Sequence, residues 1–261
     1  MTYEAQKIGT VEGLGDIYRV AAPLDEQLRA FADKGIHTLA APDEVAQIHL
    51  DDISTTCSRT SMAPIALRGG KTILVRDSIL MAPLMASAAV KAHASERYFE
   101  TNRDVYEAAE ALARSQESMY PEDRSALIVS QEGDLTLTTD ILESRFILRK
   151  QTEPYFDRFT KGTIEFGNFF GYSGSLAIIN YMCLESPLND CHIYCGWFDL
   201  DINHTAFGVL RTAEGSAKNT SASNYTPTDV QRFHQAVERL REVVNPKLLE
   251  DILVMQKNLH S

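Results

Sequence analysis

Two β-prone runs separated by a pair of glycines most constrain how this chain can fold. Pro64-Ile65-Ala66-Leu67-Arg68 and Lys71-Thr72-Ile73-Leu74-Val75-Arg76 flank Gly69-Gly70, and paired glycines supply the positive φ angles of a tight primed turn. The spacing predicts a hairpin and therefore an antiparallel ladder. Helical periodicity follows at once. Pro83 suits a first helical turn, with Leu84, Met85, Ala88, Ala89 and Ala92 as the apolar stripe of a helix over 83–97. A second helix over 104–117 carries Val105, Ala108, Ala109, Leu112 and Ala113 at helical spacing. Hairpins interspersed with helices predict α+β, with a mixed or antiparallel sheet, and argue against a doubly wound α/β fold.

The remaining elements are read in the same way. The first 52 residues mix short helices and turns, with Leu24, Leu28 and Phe31 on one helical face and Gly35 at its stop. Strands over 126–130 and 135–138 join through a turn at 131–134, and a helix runs over 140–150. A helix carrying Leu176, Ile179 and Cys183 follows Ser175. The densest β signal, 192–200, turns through 201–204 into 205–211 as a hairpin. After a polar loop over 213–224, Thr226 and Pro227 open a C-terminal αα-hairpin over 226–258. The expected organisation is one domain, 1–261, with that helical hairpin as a subdomain.

Charge narrows the partners. Against 25 basic side chains stand 36 acidic ones in 261 residues, a net charge of -11. Such a surface repels phosphate backbones, which disfavours nucleic acid and anionic membranes. The first ten residues lack the apolar core of a signal peptide, and no window approaches 18 apolar residues. Four cysteines are too few for a disulfide scaffold. A cytoplasmic protein without a membrane span is expected, with a protein partner or self-association.

Five constellations invite chemistry. Cys183, Cys191, His192, Cys195 and His204 offer soft ligands. On a strand, however, Cys191 and Cys195 stand about 13 Å apart at about 3.3 Å per residue. That distance is too long for one zinc ion or a disulfide, so no metal site is assigned and these cysteines read as small apolar residues. Asp199 and Asp201 share a strand face, and His204 can fold back across the turn, which suits acid–base work or a divalent cation. The hydroxyl-rich run 55–61 holds Ser58, Arg59 and Ser61, which together can cradle an anion. Gly171-Tyr172-Ser173-Gly174-Ser175 approaches a nucleophile elbow but lacks its last glycine. Arg145, Arg149, Lys150, Arg158 and Lys161 interleave with Phe146, Tyr155, Phe156 and Phe159, a pattern suited to stacking bases but diluted by acids. His49 and Asp52 read as surface or capping residues.

Two functions fit. The preferred one is a non-enzymatic binding or assembly protein, because no catalytic motif is complete. The alternative is an enzyme for a small anionic substrate, held by Ser58, Arg59 and Ser61 and worked on by Asp199, Asp201 and His204. It requires residues 57–61 and 199–204 to meet. No cofactor is indicated.

Overall fold

In the computed structural model the chain opens with a β-hairpin, β1 (Gln6–Val11) against β2 (Gly15–Ala22), where the sequence reads as short helices and turns. The alternation is obscured because β2 is buried on both sides: Ile17 enters one core, while Val20 and Ala22 enter the other. The structure describes residues 2–67, 71–95, 99–101, 103–129, 135–160, 162–167, 177–179, 182–185, 187, 192–195, 200 and 202–211, with the backbone alone at 93–95, 99–101, 177–178 and 195. The expected loop at 213–224 and the αα-hairpin at 226–258 lie outside them.

Gly15 closes the first turn in a conformation only glycine takes easily. Its φ is +128°, and a Cβ there would come within 2.3 Å of the Leu210 carbonyl oxygen. Gly13, in the same turn at φ +78°, has open space around it. Gly15→Ala is therefore expected to cost roughly 2–5 kcal/mol, combining backbone strain with a clash. Gly13→Ala carries only the strain. Urea unfolding of the two variants reads the difference, and equal midpoints would remove the clash from the account.

Helix α1 (Leu24–Ala32) buries Leu24, Leu28 and Phe31 as their spacing predicts, and Gly35 beyond it has φ +76°. Helix α2 (Pro42–Leu50) starts on a proline, and the Glu44 carboxylate accepts from the Ala41 N–H. Then come the short β3 (Ser58–Arg59), and β4 (Ala63–Ala66) paired antiparallel with β5 (Thr72–Val75), the hairpin read from the glycine pair. Helix α3 (Pro83–Ser95), β6 (Phe99–Thr101) and α4 (Arg103–Ser115) follow. Both helices lie where periodicity puts them, but rotated. Ala86 and Ala89 face inward in α3 while Leu84 is exposed. In α4, Tyr106, Ala109 and Ala113 are buried and Leu112 is not.

Long-range pairing departs further from local expectation. β7 (Ala126–Val129) and β8 (Leu135–Leu137) are strands as predicted, yet they enter different sheets: β7 pairs β5, and β8 pairs β9 (Ile164–Gly167). Between β8 and β9, α5 (Leu142–Leu148) lies within the helix expected over 140–150, and a second helix, α6 (Thr152–Phe159), follows it. Where a helix is expected around Ile179 and Cys183, there are two strands, β10 (Ala177–Ile179) and β11 (Met182–Leu184). β12 (His192–Cys195) and β13 (His204–Leu210) are not a hairpin. β12 lies between β11 and β9, whereas β13 lies between β2 and β3.

The result is an α+β fold with an eight-stranded sheet ordered β1-β2-β13-β3-β11-β12-β9-β8 and a five-stranded sheet ordered β6-β10-β4-β5-β7. Two apolar clusters cover the two faces of the larger sheet. Phe207, Leu184, Ile193 and Phe166 join residues of α2, α5 and α6 in one. Ala206, Cys183, Val20 and Ala22 join residues of α1, α3 and α4 in the other.

Candidate functional site: a cysteine and histidine cluster at β3

The two-residue strand β3 positions the site. Arg59 lies opposite Ala206 of β13 on one side and Cys183 of β11 on the other. Two residues earlier, just outside β3, Cys57 continues the line of the strand and comes level with His204 and with Glu185. The ladder continues outward: the Glu185 N–H donates to the His192 carbonyl at 2.9 Å, and His192 is paired with Glu165 of β9. Directly opposed residues of neighbouring strands project to the same face. One row of that face is therefore His204, Cys57, Glu185, His192 and Glu165. The next row is Ala206, Arg59, Cys183, Tyr194 and Gly167. Cys183 is thus the diagonal neighbour of Cys57.

The first row is polar at a margin of the core. Cys57, Glu185, His192 and His204 are half-buried, while Cys183 and Arg59 have no exposed surface. Gly167 makes room for Tyr194, whose ring would lie 3.1 Å from a Cβ on β9. The Tyr194 ring stacks on His192 at 5.4 Å, and His192 Nδ1 stands 3.4 Å from a Glu165 carboxylate oxygen.

Cys57, Cys183 and His204 converge, with one ligand atom from each lying within 4.8 Å of the others. His204 Nε2 is 3.8 Å from Cys57 Sγ, and its Nδ1 lies 3.2 Å from the Thr205 carbonyl. Nδ1 thus faces the Thr205 carbonyl, and Nε2 is the ring nitrogen that faces the thiol. The surroundings pull the Cys57 thiol down to about 5, first through hydrogen bonding from Cys183 and then through His204 and Arg59, against the opposing effect of burial. Glu185 moves the other way. Burial raises its carboxyl, the Cys57 charge adds to the rise, and His192 and His204 work against it.

The structure brings residues 57–61 beside His204, as the anionic-substrate reading requires, but assigns the side chains different work. The Arg59 guanidinium donates to the buried carbonyl of Ala22 at 3.1 Å and to the part-buried carbonyl of Ile202 at 3.3 Å. Ser58 is buried and donates to the Arg59 carbonyl; Ser61 is buried beside it in sequence. Asp199, Asp201, Cys191 and the 171–175 glycine turn lie outside the described residues. Cys57, which the sequence shows only as one member of a hydroxyl-rich run, becomes the centre of the cluster. Its local signal is weak, since its partners are 126 and 147 residues away.

Phe146, Tyr155 and Phe156 are core residues, and Arg158 pairs with Asp52 at 2.7 Å and lies 5.0 Å over Phe159. His49 is fully buried, not superficial, and bonds the Tyr155 hydroxyl at 3.0 Å. No helix among the described residues is long and apolar enough to cross a membrane.

Comparison with known proteins gives architecture. No family matches the chain, and no curated protein is similar to it in sequence. A solved structure described as "Accommodation of massive sequence variation in Nanoarchaeota by the C-type lectin fold" superposes with a TM-score of 0.51 at 9% identity, covering 80% of this chain and 98% of that one. At that identity the likeness extends to the fold alone: this chain is similar in architecture to a C-type lectin fold protein.

Proposed function

We propose that this chain is a binding protein whose site, Cys57, Cys183 and His204, holds a soft divalent cation of the zinc class. The observation that carries the reading is the convergence of two thiols and an imidazole from three separate segments of the chain within 4.8 Å. In a tetrahedral site with zinc–sulfur bonds of about 2.3 Å and zinc–nitrogen bonds of about 2.0–2.1 Å, neighbouring ligand atoms are about 3.6–3.8 Å apart. The Cys57–His204 separation of 3.8 Å fits that edge. The Thr205 carbonyl supplies the outer hydrogen bond that usually orients a ligating histidine. A depressed Cys57 thiol favours the thiolate that a metal needs. Binding, rather than turnover of an anion, is supported by the burial of Arg59 in contact with backbone carbonyls. The fold supports it too, since in the Nanoarchaeota protein it accommodates massive sequence variation.

Cobalt titration of the reduced, metal-stripped full chain tests this. One equivalent is expected to produce thiolate-to-cobalt charge transfer and the visible bands of a tetrahedral site, both erased by zinc. His204→Ala is expected to weaken binding roughly 100-fold or more, and Cys57→Ser to remove about half of the charge-transfer intensity. Absence of the bands in the wild-type chain, or their persistence unchanged in Cys57→Ser, would overturn the assignment.

A further inference from the structure

The two thiols of the cluster differ in a way that metal binding does not require. Cys57 is half-buried and reachable by a small oxidant, whereas Cys183 has no exposed surface. They occupy adjacent antiparallel segments, with Cys183 opposite Arg59 and Cys57 two residues before it. Resting on the cation-binding reading, we infer that Cys57 and Cys183 are a redox pair that closes a disulfide on exposure to a peroxide and releases the bound cation.

The chemistry balances with hydrogen peroxide as the oxidant. The Cys57 thiolate attacks one peroxide oxygen, the O–O bond breaks, and hydroxide leaves to become water. The resulting sulfenic acid is attacked at sulfur by Cys183, and a second hydroxide leaves as water. Two electrons pass from the thiols to the peroxide, and one S–S bond forms. Of the three ligands only His204 then remains a strong donor, since the neutral disulfide sulfurs are poor zinc ligands, so the cation is lost. Burial of Cys183 leaves Cys57 as the route to it, which directs the second step inside the chain rather than to another molecule.

Reach sets the character of the bond. Diagonal neighbours on antiparallel strands have Cα atoms about 7–8 Å apart, while a disulfide prefers about 4.4–6.8 Å. Closure must draw Cys57 toward β11 by roughly 1 Å. Cys57 lies just outside β3, in a stretch over 54–57 that belongs to no strand, so the ladder does not hold it back. A bond made at that cost is easily reduced.

The test uses the zinc-loaded full chain, treated with a small excess of hydrogen peroxide. Expected are one zinc ion released per chain to a chromogenic chelator, loss of the mass of two hydrogens, and a linked pair of peptides containing Cys57 and Cys183. Dithiothreitol should restore both thiols and zinc uptake. In Cys57→Ser the linked peptides should vanish while Cys183 stays a thiol. Sulfinic acid at Cys57 with Cys183 still reduced would overturn the inference, as would a disulfide involving Cys191 or Cys195 instead. Zinc uptake without the 57–183 link sinks the redox pair alone. A link formed in a chain that never took up zinc upholds the pair and sinks the cation reading.

Discussion

Arg59→Met is expected to destabilise the protein by roughly 3–5 kcal/mol, a large share of the 5–15 kcal/mol typical of a folded domain. Among the described residues Arg59 is the largest fully buried side chain by volume, and its guanidinium reaches across β13. It ties the end of β2, at the Ala22 carbonyl, to the segment entering β13, at the Ile202 carbonyl. Methionine fills much of the space but donates nothing, so the buried Ala22 carbonyl loses a charged donor where water does not readily reach, and the Ile202 carbonyl, nearer the surface, loses one that water can replace. The buried positive charge also sits beside Cys57, whose thiol it helps to hold down. The variant should therefore raise that thiol as well as lower the urea midpoint. Arg59→Lys keeps the charge without the planar fork and should fall between the two. A methionine variant within about 1 kcal/mol of wild type would show that the guanidinium is not what joins these strands.

Acid should act through His49. Burial, opposed by its bond to the Thr56 carbonyl, lowers the imidazole to about 4, against about 6.5 in an unfolded chain. The neutral ring accepts from the Tyr155 hydroxyl at Nδ1 and donates from Nε2 to Thr56. A second proton, on Nδ1, would reverse the first of these bonds, with the Tyr155 hydroxyl then accepting, and would leave a charge buried in the core. Between pH 6.5 and pH 4 the unfolded chain binds a proton that the folded chain refuses, so stability falls as pH falls through that window. The contribution is unchanged above the window and fully lost below it, amounting to about 3 kcal/mol. Urea midpoints at pH 7 and pH 4.5 should converge less in the wild type than in His49→Gln, which has no proton to gain. Parallel losses in both proteins would place the acid sensitivity in other groups. Because Thr56 precedes Cys57, this histidine also anchors the approach to the cation site.

How much of this was legible beforehand depends on the range of the interaction. Gly69-Gly70 announces β4 and β5 because a short connection and its flanking strands are settled by neighbours in sequence; their antiparallel pairing follows, although Ile65 lies opposite Ile73 and not opposite Leu74 as a two-residue turn at 69–70 would set. The helices at 83–95 and 103–115 are legible for the same reason, although their buried faces are not. Ala86 and Tyr106 turn inward because α1 and β7 lie beside them, and single-helix periodicity contains no partner. β7 and β8 look like one hairpin, yet they separate into different sheets, since each finds better apolar neighbours far along the chain. Cys57 carries only a weak signal until β3 is placed.

Taken by itself, the sequence determined the α+β class, most of the local elements and the acidic surface, all properties of composition and short-range pattern. Only the tertiary structure decided strand order, and with it the rows that set Cys57 beside His204 and diagonal to Cys183. The physical reason is that a side-chain period records which way a residue faces, whereas a binding site needs to know which distant strand lies next to it. That choice is made by burial summed over both faces of the eight-stranded sheet.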